Sequence, residues 1–252
     1  MPNEPKNDGV RLLLADLTEK EFGGAQWYSL SIRQTLQSLY SDLLIFQISY
    51  GDMPKLRRLV LAFRGIIRGL DDEKIAKVSD LIEEKKVTKV ILDGSGYGYA
   101  CKKIRQAHQD MEIFVLSHNC ESKFFYESFR HKKRVFSFLL FLFVHLAEKM
   151  TCKYADRVIC LTKEDCQDFV AFHNCHNTSV LPIFPDETID RDEQMPEVKS
   201  PYCLFVGSSK NFANIQGIRW FVEQVSPHIV LIYSMEPTIS PSLIFRWIFQ
   251  MW

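Results

Sequence analysis

The sequence has no excess of charge of either sign: 31 Lys and Arg balance 31 Asp and Glu over 252 residues. That balance excludes a protein drawn to polyanions by its overall charge, so nucleic acid is not an expected partner and any contact with an anionic surface has to be local. A secretory leader is not expected. The N-terminus MPNEPKNDGV carries acidic residues and prolines where a basic start and an apolar run would stand, and the expected location is cytoplasmic. Seven cysteines, odd in number and irregularly spaced, make no disulfide framework and read as mostly buried free thiols. GxSxG, HExxH and the Walker phosphate loop are also absent. FHNCHNTS (172–179), with Cys166 upstream, gathers Cys and His but not at zinc spacings, and it reads as a helix terminus. Asn177-Thr178-Ser179 matches a glycosylation sequon that a chain without a leader does not present to the glycosylation machinery. No metal and no cofactor are expected.

Long apolar runs are scarce too. RHKKRVFSFLLFLFVHLA (130–147) sets a basic cluster before thirteen residues of which only Ser137 and His145 are polar. That is shorter than the ~20 residues of a membrane span. Two readings fit: a buried helix of the domain, or a helix lying at the inner face of a membrane with its basic cluster on anionic headgroups.

What is present is an ordinary globular composition, 46% hydrophobic and 25% charged. Short apolar runs alternate with stretches of helical period. RLLLADL (11–17), DLLIFQISYG (42–51), VTKVILD, MEIFVLS, ADRVICLT (155–162) and SVLPIFP (179–185) read as strands. Helices are expected at 29–40, at 71–86, over ACKKIRQAHQ and at 163–172. The segment at 71–86 opens with acids and closes with lysines, as the helix dipole favours. Strands without strict polar alternation, separated by helices, predict an α/β fold with a doubly wound, Rossmann-like parallel sheet covered on both faces. PDETIDRDEQMPEVKSP (185–201), acidic and without apolar period, reads as a linker between a domain at 1–184 and a second unit at 202–252.

Three places carry candidate chemistry. Gly23-Gly24 lies between the first strand and its helix, where backbone without side chains could approach a phosphate at a helix N-terminus; a lone GG more often marks an ordinary turn. DGSGYGYA (93–100) has the strand-glycine-helix context of a dinucleotide fingerprint, but the third glycine would belong at 99, where Tyr99 stands, and a tight turn is the expected reading. SHNCES (117–122) emerges from the C-terminal end of a strand, the edge where open α/β sheets bind ligands, so His118 and Asn119 are placed either to hydrogen-bond a hydroxyl-rich substrate or to cap the next helix.

FGGAQWYSLSIRQTL, SHNCES, KYADRVICLTKEDCQDFVAF followed by LPIFPDE, and YCLFVGSSKNFANIQGIRWFVEQVSPHI, in this order over roughly 10–229, resemble the GT-B glycosyltransferases, specifically glycosyltransferase family 4. The resemblance implies two Rossmann-like domains facing across a cleft, with 1–184 as the acceptor-side domain and 202–252 as the start of a donor-binding domain. It implies sugar transfer with retention from a nucleotide-sugar, a substrate rather than a cofactor, to a glycan or lipid-linked acceptor, usually without a metal. Gly23 and Gly24 become the loop near the donor diphosphate, and His118 and Asn119 contacts to sugar or acceptor. Lys210 becomes the one basic residue of Ser208-Ser209-Lys210-Asn211 where many relatives place an Arg and a Lys. The family's Glu-containing donor motif has no counterpart here, and VLIYSMEPTISPSLIFRWIFQMW has no family look; the expectation is a donor domain cut short after about Ile229, with impaired activity. No catalytic residue is assigned. Two other classes stay open: a non-catalytic module that binds acceptor or recruits a partner, and a dinucleotide oxidoreductase using 93–121.

Overall fold

The computed structural model describes residues 9–15, 24–48, 54–182 and 212–228. The chain divides into two units, Met1–Phe184 and Pro185–Trp252. Gly23, Lys210, the acidic segment 185–201, the apolar run at 202–207 and the tail after 228 lie outside the described residues.

The first unit is a six-stranded parallel sheet in the order β2-β1-β3-β4-β5-β6, formed by β1 (Val10–Ala15), β2 (Leu43–Gln47), β3 (Val87–Asp93), β4 (Glu112–Ser117), β5 (Arg157–Cys160) and β6 (Thr178–Val180). The helices are α1 (Gly24–Leu39), α2 (Lys55–Phe63), α3 (Asp72–Lys85), α4 (Gly98–Ala107), α5 (Glu121–Lys132), α6 (Val135–Tyr154) and α7 (Lys163–His173). This is the doubly wound Rossmann-like α/β fold expected from the alternating pattern. In the second unit, α8 (Phe212–Trp220) runs on into a single π-helical turn at Phe221–Val225.

The period of two within each strand distributes its side chains between the layers. Leu12 and Leu14, Val90 and Leu92, Ile113 and Val115, and Val158 with Cys160 enter one continuous core with Ile75, Val78 and Ile82 of α3, Ala100, Cys101 and Ile104 of α4 and Phe169 of α7. Leu13 and Ala15 alternate with them along β1 and are buried as well. Local signals mark the helix ends. Asp71 caps α3 by accepting the Lys74 amide at 3.4 Å, and Thr162 caps α7 by accepting the Asp165 amide at 3.0 Å. The helices α3, α5 and α7 end on Lys86, Lys133 and Asn174, each in the left-handed region.

Two elements are absent from the sequence reading. Helix α2 is one, and α5 is the other; the basic cluster in 130–147 closes α5 and opens α6 instead of heading a single helix. Helix α6 is 20 residues long, more than the thirteen-residue apolar run, and is long and apolar enough to cross a membrane by length and composition alone. Its second half argues for a place in the domain, because Ala147, Glu148 and Thr151 are all fully buried. The six described cysteines carry free thiols, four of them buried.

Candidate functional site

The chain leaves β1 for β2 on one side and reaches β3 on the other, so the β1/β3 junction is the topological switch point, and ligands of such sheets bind outside the carboxyl ends of strands there. Asp93 is the last residue of β3, and His118 directly follows β4. Because β3 and β4 are neighbours, with Asp93 in register with Leu116, the two side chains meet: His118 Nε2 lies 2.8 Å from Asp93 Oδ1. A carboxylate only accepts, so Nε2 carries the proton and donates it, which leaves Nδ1 as the nitrogen available to a ligand. The Asp93 side chain is 7% exposed and that of His118 20%, so the dyad is largely buried with His118 its more accessible member.

Helix α1 closes the other side. Tyr28 stacks edge-on against the His118 ring with centroids 5.3 Å apart, and Ser29 Oγ stands 3.5 Å from Nε2. The Tyr28 hydroxyl is buried and has no partner among the described residues; burial first, then the nearby Asp93 charge, pushes its pKa up to about 12, so it stays a neutral donor. Asn119 Oδ1 is likewise buried and unpaired, while the Asn119 carbonyl accepts from Ser117 Oγ at 2.8 Å. An edge with a positioned imidazole, an unpaired phenol and an unpaired amide oxygen matches the alternating donors and acceptors of a polyol.

Among the candidates named from sequence, His118 and Asn119 stand side by side in this edge. Gly24 opens α1 one turn before Tyr28, and Gly23 and Lys210 lie outside the described residues. Asp93, Tyr28 and Ser29 were not singled out by sequence. Asp93 had a signal, as the carboxylate ending the strand VTKVILD before a glycine.

The glycines of DGSGYGYA have structural work. Gly94 takes a φ of +135° at the strand exit. Ser95–Tyr97 form a buried 3-10 turn, with Ser95 Oγ donating to Glu148 at 2.7 Å and its carbonyl accepting from Thr151 Oγ1 at 2.6 Å. Gly98 begins α4 where a Cβ would sit 1.9 Å from the Ala147 carbonyl oxygen and 2.6 Å from the Thr151 nitrogen of α6. Glu121 starts α5 beside Arg68 at 3.5 Å. The glycines of this loop are accounted for by the strand exit and by packing against α6, so they lend no support to a dinucleotide reading. Gly98→Ala is expected to cost about 1–3 kcal/mol, since helix backbones rather than a flexible side chain would have to move; thermal unfolding measures it.

A second polar cluster lies inside the domain. The Glu148 carboxylate accepts the backbone N–H groups of Glu121 (3.0 Å) and Ser122 (2.9 Å), the Ser95 hydroxyl and His173 Nε2 (3.1 Å). Helix α5 has no local side-chain cap at Cys120, and Glu148 of α6 supplies the missing acceptor at the positive end of the helix. Burial alone would raise the Glu148 pKa; hydrogen bonds from His173, Ser122 and Ser95 overcome it and hold the group below the usual carboxylate range. The potential ligand atoms of Cys120, Glu148 and His173 lie within 4.8 Å of one another. Even so, the carboxylate is already saturated by protein donors. This set fits a structural latch better than a metal.

Fold and edge together define an α/β protein of the type that binds ligands outside the carboxyl ends of its strands. No family model and no curated protein sequence matches the chain. Among solved structures it is similar to a sucrose-phosphate synthase from Thermosynechococcus elongatus, a GT-B glycosyltransferase, with a TM-score of 0.52 and 12% identity. The match covers 79% of this chain and 56% of that one. The chain thus has a glycosyltransferase-like fold and spans little more than half the length of this neighbour.

Proposed function

We propose that the chain is the acceptor-side part of a GT-B glycosyltransferase of family 4 character, transferring a sugar from a nucleotide-sugar to a glycan or lipid-linked acceptor at the cytoplasmic side of a membrane. The observation that carries this reading is the Asp93–His118 dyad at the switch-point edge, roofed by Tyr28. In this reading His118 Nδ1 accepts a sugar hydroxyl proton, while Asp93 fixes the ring by accepting from Nε2. The Tyr28 hydroxyl donates to a second ligand oxygen, and Asn119 Oδ1 accepts. Gly23, Gly24 and Lys210 would face the donor diphosphate, whose developing charge positioned donors stabilise during transfer.

The competing reading is a module that binds only acceptor or a partner protein. Thermal unfolding with a panel of nucleotide-sugars, free glycans and NAD separates the readings, because a ligand at about a hundred times its Kd adds roughly 2.7 kcal/mol to stability. Stabilisation by a nucleotide-sugar is expected. Stabilisation by glycans alone would favour the binding module, and stabilisation by NAD alone would overturn both.

A further inference from the structure

The most exposed apolar surface of the first unit lies on two helices that touch. In α2, Leu56, Leu59, Val60 and Phe63 recur at the spacing of one helical face, and all four are exposed, Leu56 at 74%. The buried residues Leu61 and Ala62 lie on the opposite side, so this helix turns its apolar stripe outward. Helix α6 does the same in its first half. Val135, Phe138, Leu142 and Leu146 form an exposed stripe, with Phe136 beside it at 69%, while Ser137, Val144, Ala147 and Glu148 face the domain. Phe63 of the α2 stripe meets Phe143 of α6, a residue buried beside the α6 stripe, edge-on at 4.8 Å, which brings the two helices into contact.

Charge is distributed around this face with one sign. Lys55, Arg57 and Arg58 flank the stripe of α2, and Arg130, Lys133 and Arg134 stand at the α5–α6 junction beside Val135 and Phe136. Neither 54–70 nor 128–147 contains an Asp or Glu, in a chain whose charges otherwise balance. Asp71 neighbours Arg57 at 3.4 Å without covering it, since the Arg57 side chain remains 60% exposed.

We infer that α2 and the first half of α6 form a docking face for an anionic lipid bilayer, with the apolar stripes entering the acyl boundary and the basic residues resting on headgroups. Complementarity selects this occupant: a wholly apolar partner would leave the ring of cations unanswered, whereas an anionic bilayer answers both parts. Helix α6 lies on the bilayer and does not cross it, because its inner side carries the buried Glu148 latch. The inference does not depend on the sugar-transfer reading.

Co-sedimentation of the full chain with phosphatidylcholine vesicles, with and without phosphatidylglycerol, tests it. The expected result is binding to the anionic vesicles only, weakened by salt. Leu56→Asp combined with Phe136→Asp, and separately Arg130→Glu combined with Arg134→Glu, should each lower partitioning by about tenfold or more. Both pairs are exposed, and unchanged circular dichroism and melting show that the variants fold. Failure of the wild-type chain to bind anionic vesicles, or equal binding by the variants, overturns the inference. So does sedimentation showing a dimer that the same substitutions dissociate without any binding to vesicles, which would give the face to a second copy of the chain.

Discussion

Replacing Glu148 by alanine is expected to lower stability by about 3–5 kcal/mol, the range for removing one partner of a buried charged network. The change deletes an acceptor that serves two backbone amides, a hydroxyl and an imidazole at once, all at a side chain with 0% exposure. The donors left behind are buried or part-buried, and α5 loses its side-chain acceptor from Glu148. The melting temperature should fall on the order of 10 °C for a chain of this size. Glu148→Gln separates charge from shape: it keeps the volume and one acceptor but points an NH2 group at donors. The folded-state pKa of Glu148 lies below its unfolded value, so its contribution is fully present above about pH 4.3 and is lost as pH falls through the lower folded value. The wild-type chain should therefore lose stability across that acid window more steeply than Glu148→Gln. Parallel acid profiles would show that the carboxylate is not held ionised.

The second large effect concerns function. His118→Ala should reduce ligand affinity or transfer rate by about 10²-fold, as expected when a hydrogen bond that positions substrate is removed from a partly desolvated site. Asp93→Asn is the more discriminating change. Its amide can present either an oxygen or an NH2 to Nε2; turning the NH2 toward the ring makes Nε2 the acceptor and moves the proton to Nδ1, the nitrogen meant to accept from the ligand. A loss comparable with that of His118→Ala, at unchanged substrate range and melting temperature, is expected. Tyr28→Phe removes the unpaired hydroxyl while leaving the ring against His118, and it should weaken binding without weakening the fold, because that hydroxyl has no partner to lose among the described residues. A drop in melting temperature with Tyr28→Phe would assign the hydroxyl to the fold rather than to a ligand.

Five of the six strands were legible because each is a compact apolar run in a chain whose other segments have a helical period; β6, Thr178–Val180, overlaps the strand expected at 179–185 only at Ser179 and Val180. His118 and Asn119 were legible because they are the first polar residues beyond such a run. Asp93 was visible as a residue but not as a partner: it lies 25 positions from His118, and only the pairing of β3 with β4 brings them together. Helix α2 was lost for a different reason. KLRRLVLAF carries a helical spacing at Leu56, Leu59, Val60 and Phe63, but over only nine residues that period does not stand out from a short apolar run. Glu148 sits in the most apolar stretch of the sequence, and nothing local shows that its acceptors serve a helix beginning 27 residues earlier. The glycines of DGSGYGYA were expected to make a tight turn, because the third glycine of a dinucleotide fingerprint is displaced by one position, and the structure uses them for the strand exit and close helix packing.

The most direct measurement is a ¹⁵N spectrum of the His118 ring nitrogens in the full chain, recorded while nucleotide-sugars and candidate acceptor glycans are titrated in. The free chain should show Nε2 protonated and bonded to Asp93. A sugar-bearing ligand should then shift Nδ1 in a saturable way, and the shift should be absent in Asp93→Asn. A folded chain whose His118 nitrogens respond to no sugar or nucleotide-sugar, or respond identically with Asp93 replaced, would contradict the assignment of this edge as the sugar site.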